Sequence, residues 1–449
     1  MNAKLGESAP LYQALMQHKS LGRASYHTPG HKSRGGVFPA DLLSLDYTEL
    51  PDTDSLFEAE GPILEAERKA ANLFGAHRTV FSAGGCTLCI QAMLRAAAPQ
   101  GGEVVTGRII HRSAVNTMAL LGICPVWVLP RPDAGPGLPG RIHPNDVQQA
   151  LREHPGAKAV YLTSPDYYGT LADIAGIARV CRQAGVPLLV DNAHGAHLWY
   201  VGGGMHPITQ GADYSACSAH KTLPVLTGGA WLNIREEKWS HGIKEAMALF
   251  GSTSPSYPVM ASLDLCREWL EMEGEAAFAR LEEQVGRLKR LAAARGFGQP
   301  EGVCDPVRLT LNTASVGMEG QKAAQWLRER GIEPEYADAG HVVFILTPMN
   351  TQEDLVRLEQ ALLGFPIGSP LTLPKLALPP LPVKAADPRE AVLASAEWIP
   401  LDQSVGRVAA QAACPCPPGV PVVMPGETVS EKTVEFLSNY RISTIKVIK

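Results

Sequence analysis

Between about residue 70 and residue 235 the chain alternates between two textures. Short apolar runs rich in β-branched residues lie at Thr79–Phe81, Val104–Val105, Val126–Leu129, Ala159–Leu162, Leu188–Val190 and Ala230–Ile234. Longer segments with apolar residues at helical spacing lie between them, at Thr87–Ala98, Ser113–Leu121, Pro144–His154 and Ile174–Ala184. The strand-like runs are continuously apolar rather than alternating, as expected of strands covered on both faces. The pattern predicts an α/β domain around a mostly parallel sheet. Such sheets bind ligands just beyond the carboxyl ends of their strands, so the residues after each run are where chemistry is to be sought.

The texture then changes. Residues 261–296 read as one long charged amphipathic helix, followed by short strands (Val307–Leu311, Val342–Leu346) and helices (Gln321–Arg330, Gln352–Leu363). This is an α+β pattern. A proline-rich stretch follows and reads as a linker or strap. The expected division is an N-terminal arm (1–45), a large α/β domain (46–260), a small α+β domain (261–365), the proline-rich linker (366–388) and a C-terminal domain (389–449).

The 449 residues exceed what one small core organises, in keeping with several domains. Lys and Arg number 40 against 45 Asp and Glu, a formal charge of −5. That balance offers no field for nucleic acid or an anionic membrane. No apolar run reaches the roughly 18 residues of a spanning helix, and residues 1–10 have no apolar stretch behind their basic residue, so a secretory signal is not expected there. Nine cysteines in this length do not form a disulfide framework, and a cytoplasmic protein is expected. The pairs Cys86-x-x-Cys89 and Cys414-x-Cys416 have no completing ligands nearby and read as structural, so no metal is expected.

Four features can carry chemistry. Ser218-Ala219-His220-Lys221 follows the apolar stretch around Tyr214–Cys217; a lysine there can be desolvated into an amine nucleophile, although a surface loop lysine is the ordinary alternative. Leu188-Leu189-Val190-Asp191 delivers an acid to a strand end, where it can keep a pyridine nitrogen protonated; a helix N-cap is the plainer reading. Ala193, two positions on, is small enough to let a flat ring lie against the backbone. Phe81-Ser82-Ala83-Gly84-Gly85-Cys86-Thr87 is a strand, a glycine turn and a helix start, suited to phosphate. His111, after another strand, could stack on a flat heterocycle. Together they supply a phosphate cradle, a ring stacker, an acid for a ring nitrogen and an amine for a Schiff base. That set is what pyridoxal phosphate requires.

These residues resemble the fold-type-I pyridoxal-phosphate decarboxylases that act on ornithine, lysine and arginine. The resemblance runs through nearly the whole chain. His27-Thr28-Pro29-Gly30-His31-Lys32 is similar to the family's opening motif. Leu45-Asp46-Tyr47-Thr48-Glu49-Leu50, Gly61-Pro62-Ile63 and Ala70-Ala71-Asn72-Leu73-Phe74-Gly75-Ala76 resemble its approach to the cofactor domain, and Ser164-Pro165-Asp166-Tyr167-Tyr168-Gly169 its mid-sheet loop. Asp191-Asn192-Ala193-His194-Gly195-Ala196-His197 and Ser218-Ala219-His220-Lys221 resemble the segments of its cofactor acid and its Schiff-base lysine. Ser252-Thr253-Ser254-Pro255-Ser256-Tyr257 is similar to a segment that helps build the site across a dimer interface. Pro417-Pro418-Gly419-Val420-Pro421 and Met424-Pro425-Gly426-Glu427 resemble the signature of the C-terminal domain.

The resemblance implies a fold-type-I large domain, pyridoxal 5'-phosphate as cofactor, a homodimer or higher homo-oligomer, and release of carbon dioxide from a basic amino acid, arginine or lysine or ornithine. It implies that Lys221 carries the cofactor, Asp191 pairs with the ring nitrogen, and His111 and Ala193 take the two ring faces. Gly85, Cys86, Thr87, Ser218 and His220 then surround the phosphate, with His194 and Ser254 also at the cofactor. Lys221 or His220 returns a proton to the α-carbon. Glu427 becomes a candidate for the substrate's distal cation, alongside Asp52, Asp54 and Asp166. Two departures stand out: Cys86 replaces a hydroxyl residue, and Gly84-Gly85 replaces the more usual Asn-Gly. The lack of a long segment before the opening motif resembles the short branch without the additional N-terminal domain. Two rival readings remain: another reaction on the same cofactor, such as an aminotransferase or carbon–carbon lyase, and a cofactor-binding relative without turnover.

Overall fold

A computed structural model describes residues 5–21, 44–373, 379–413, 421–440 and 442–449. The motif at residues 27–32, the pair Cys414 and Cys416, and residues 417–420 lie outside the described residues. The chain forms two compact units, each discontinuous in sequence: residues 1–96 with 190–280, and residues 97–189 with 281–449.

The strands expected in the α/β region are present. They are β1 (Arg78–Ser82), β2 (Gly102–Gly107), β3 (Ile123–Val128), β4 (Val160–Thr163), β5 (Leu188–Asp191), β6 (Tyr214–Cys217) and β7 (Ala230–Ile234). In the first unit the order is β1-β7-β6-β5. Here β7 runs antiparallel to both neighbours, pairing Ser82 with Ala230 on one side and Cys217 with Trp231 on the other. In the second unit β2 lies between β4 and β3 and is parallel to both, with Val105 opposite Val126 and Val160. The division between units passes through β5 itself, after Leu189.

The first unit's core fixes the strands that matter for the site. Phe74, Trp231 and Phe81 are fully buried, and Phe74 stacks on the ring of His206 at 5.6 Å. His206 has no exposed surface, and burial lowers its pKa to about 3, so it is a neutral core residue. Its Nδ1 accepts from the Ile208 amide, and its Nε2 lies 3.4 Å from the Cys217 thiol at the end of β6. Asn192 ties β5 to the same place: its amide N–H donates to Ala216 and its side chain to the Cys217 sulfur.

The segment expected as one helix from 261 is interrupted. Helix Tyr257–Trp269 and helix Glu275–Ala294 are joined by a π-helical turn, Leu270–Gly274. A widened turn loses regular carbonyl partners; here the Tyr200 hydroxyl donates to the Leu270 carbonyl at 3.1 Å. Gly274 lets the Tyr200 ring approach, because a β-carbon there would lie 2.9 Å from it.

The second unit also holds β8 (Arg308–Asn312), β9 (Tyr336–Ala337) and β10 (His341–Ile345) in an antiparallel sheet of order β8-β10-β9. A final hairpin, β11 (Ala396–Pro400) with β12 (Thr444–Ile448), closes over a core of its own that includes Leu401, Val422, Val429, Leu437 and Val447. Among the described residues no helix is long and apolar enough to cross a membrane.

Candidate active site

Strand β5 is buried along its length and ends in Asp191, which is 2% exposed. Its Oδ1 accepts the Ala193 amide N–H at 3.1 Å, a tight turn that fixes the carboxylate against the backbone. The Asn192 side chain donates to the Gly195 carbonyl, and Gly195 donates back to the Asn192 carbonyl, so the loop carrying Ala193 and His194 is clamped. Strand β6 is likewise buried and runs into Ser218 and the short turn Ala219–Thr222. Lys221 emerges from that turn partly exposed. Its Nζ lies 3.0 Å from Nε2 of His194.

The neighbouring His220 is turned elsewhere. Its Nδ1 donates to the Gly229 carbonyl at 3.0 Å, tying the turn to the start of β7. Of the two histidines, the one in contact with the lysine amine is therefore His194, not the sequence neighbour expected to move the proton.

The glycine turn after β1 is braced from both sides. Ser82 Oγ accepts the Gly84 amide and donates to the Gly85 carbonyl, while the Gly85 amide donates to Gly228. Gly85 has φ +70°, a conformation costly for any residue with a β-carbon. A β-carbon built there meets no atom within 4 Å, so open space lies over the first turn of helix Gly85–Ala97. Thr87 is exposed on that turn, whereas Cys86 is buried, its sulfur 4.0 Å from Asp191 Oδ1. Burial, and then the charge of Asp191, push the Cys86 thiol well above its usual pKa. The thiol thus serves the acid's surroundings, and the helix N–H groups and Thr87 remain for an anion.

Ser254 lies on an exposed turn of the first unit, its amide donating to Ser252 Oγ. His111 belongs to the second unit. It caps helix Arg112–Leu121, its Nδ1 accepting the Ser113 amide and lying 2.7 Å from the Ser113 hydroxyl, with the ring exposed.

Glu427 departs from expectation. Both its oxygens face the Arg108 guanidinium, at 2.6 and 2.7 Å, and the Met424 amide donates to one of them. Arg108 is 1% exposed, also donates to the Pro421 and Val422 carbonyls, and lies 4.9 Å from the Trp127 ring centre. The charge of this carboxylate is already matched by a buried guanidinium in two-point contact. The other acids are engaged too. Asp52 meets His18 at 2.7 Å, Asp54 accepts four backbone amides around residues 55–63, and Asp166 is buried and accepts from Tyr168 and Thr170. Sequence reasoning missed Arg108; the available signal was an arginine directly after an apolar strand, where a buried charge needs a partner.

Two family models match the chain. One, described as the major domain of Orn/Lys/Arg decarboxylase, covers residues 9–296, and the C-terminal domain of the same family covers residues 373–444. The chain belongs to the Orn/Lys/Arg decarboxylase family. It is 32% identical over 95% of its length to the arginine decarboxylase of Bacillus subtilis, covering 92% of that protein. It is 24% identical to the constitutive lysine decarboxylase of Escherichia coli, over 94% of this chain and 76% of the relative. The solved structure of that E. coli enzyme superposes with a TM-score of 0.82 at 21% identity, over 98% of this chain and 82% of the neighbour. A NifS-like protein shares the fold at lower similarity, TM-score 0.55, 16% identical over 78% of this chain and 94% of that one. The decarboxylase therefore has the fold-type-I architecture, and its family uses pyridoxal phosphate.

The residues present fit that cofactor. A braced helix start with open space above it suits a phosphate. A buried acid at one strand end and an amine after the next suit a pyridine nitrogen and an aldehyde.

Proposed function

We propose that this decarboxylase removes carbon dioxide from arginine in preference to lysine or ornithine, and that Lys221, Asp191 and the Gly85–Thr87 turn form its cofactor site. The observation that carries the reading is the pairing of a lysine amine with an imidazole beside a buried strand-end acid. Arginine is preferred because relatives at about 30% identity, from Bacillus subtilis and Halalkalibacterium halodurans, are named arginine decarboxylases.

When bound, pyridoxal phosphate supplies an electron sink for the pair left behind as carbon dioxide departs. The chain's own residues do the rest. Lys221 would offer the amine that holds the cofactor aldehyde. Asp191 keeps a proton on the ring nitrogen through its charge. The helix start at Gly85 and the Thr87 hydroxyl hold the phosphate, and Ala193 leaves room for the ring. A homodimer in the cytoplasm is the setting we infer.

The test is direct. The purified protein is incubated with pyridoxal phosphate and arginine, lysine or ornithine separately, and the amine and carbon dioxide are measured. Agmatine as the main product supports the reading. Keto-acid formation without carbon dioxide would replace it with a transaminase, and cadaverine or putrescine as the main product would change the substrate.

A further inference from the structure

Lys221 Nζ and His194 Nε2 lie 3.0 Å apart. At that distance one nitrogen donates a hydrogen bond to the other: an ammonium to an imidazole, or an imidazolium to an amine. Both forms have the same net charge, and one proton moving along the contact converts one into the other. We propose that His194 takes the proton Lys221 must shed to become a nucleophile, and returns it when the displaced oxygen leaves. The inference rests on the reading of Lys221 as the amine that condenses with the cofactor aldehyde.

The surroundings leave this task to His194. His220 donates its Nδ1 proton to the Gly229 carbonyl and makes the backbone link between turn and strand. Asp191 Oδ1 is held by the Ala193 amide. The Cys86 thiol is buried and stays neutral. His194 itself is 8% exposed, and its loop is clamped by the reciprocal bonds of Asn192 and Gly195, so the imidazole is held in place rather than swinging in solvent.

The step balances. An ammonium N–H bond breaks and its proton bonds to His194 Nε2. The freed nitrogen pair forms a bond to the aldehyde carbon, and the carbonyl pair moves to oxygen. That oxygen takes a second proton from the nitrogen and the proton returned by His194, and leaves as water. Ammonium and aldehyde have become a protonated imine and water, with no oxidant or reductant.

The experiment mixes apoprotein with pyridoxal phosphate in a stopped-flow instrument, follows the imine absorbance, then fixes the adduct with borohydride and maps the peptide. His194→Ala is expected to slow imine formation by about 100-fold, the lower end for loss of an acid–base group, and added imidazole to recover part of that loss. His194→Gln keeps a hydrogen-bonding side chain but cannot carry the proton, and is expected to be as slow as the alanine variant. A glutamine variant at the wild-type rate, or an alanine variant within about threefold of it, overturns the proposal, since that range is well below what acid–base catalysis contributes. The borohydride map separates the two levels. A tag on another lysine in the wild type removes the reading of Lys221 itself. A tag on Lys221 with rates unchanged by the variants removes only the role of His194.

Discussion

Each unit holds a cationic side chain just beyond a strand end, and the two are treated in opposite ways. In the second unit Arg108, which follows β2, is sealed from solvent and receives a matched carboxylate, two further carbonyls and an aromatic face. In the first unit Lys221, four residues beyond β6, is partly exposed and meets another base rather than an acid. The first arrangement satisfies a charge and closes it off. The second sets two proton-carrying groups in direct contact. Both follow a strand, so position after a strand does not separate a structural charge from a reactive one; the partner does.

The sharpest way to break this contrast is to remove the lysine. Lys221→Ala should lower the rate of amine formation by at least about 10⁴-fold, as loss of a nucleophile does, and abolish the imine absorbance. The protein should remain folded by circular dichroism, because the amine is partly exposed and its loss empties no core. Steady amine production by this variant would refute the assignment.

Removing the carboxylate from the other pair should act on stability. Glu427→Ala leaves a buried guanidinium without its partner and is expected to cost about 3–5 kcal/mol, read as a lowered midpoint in urea. Replacing Arg108 and Glu427 together by methionine should recover most of that loss, because no unpaired charge remains. If Glu427→Ala is fully stable yet raises KM for a basic amino acid, Glu427 binds substrate and the contrast fails.

Asp191→Asn keeps shape and removes charge. The expected loss in kcat is about 10²–10³-fold, the range seen when one electrostatic partner of developing charge is lost, with the borohydride-trapped lysine unchanged. A variant that fails to trap the cofactor at all would show that the carboxylate acts in binding rather than in holding the ring proton.

Much of the architecture was legible because it depends on local pattern. The apolar runs at 79–81, 104–105, 188–190 and 230–234 lie within strands, since a buried strand needs continuous apolar residues. The antiparallel course of β7 was not legible, as a both-sides-buried strand has the same composition in either direction. The π turn at 270–274 was hidden for a related reason: it preserves helical spacing and is betrayed only by the hydroxyl of Tyr200, far away in sequence. At the site, Lys221 and Asp191 announced themselves by following apolar runs. The partners of charged groups did not. His194 rather than His220 at the lysine, and Arg108 at Glu427, are separations of 27 and 319 residues that no spacing rule reaches.

The smallest predicted effect tests which side Cys86 serves. A thiol is a weak donor, and at 4.0 Å from Asp191 Oδ1 it contributes little attraction. If the helix N–H groups and Thr87 carry the phosphate, Cys86→Ala should change cofactor affinity by less than about twofold, below the ~0.5–1.5 kcal/mol of an ordinary hydrogen bond. Thr87→Val, which removes an exposed hydroxyl at the helix start, should weaken it by about tenfold, the upper part of that range. Equilibrium titration of the apoprotein with pyridoxal phosphate measures both. The thiol's chemistry gives an independent reading. With its pKa pushed up by burial and by Asp191, Cys86 carries almost no thiolate at pH 8, where a free cysteine is appreciably ionised. It should therefore resist alkylation by iodoacetamide in the native apoprotein and react only once urea unfolds the chain. Rapid native labelling of Cys86, together with a tenfold affinity loss in the alanine variant, would place the sulfur at the anion rather than at the acid.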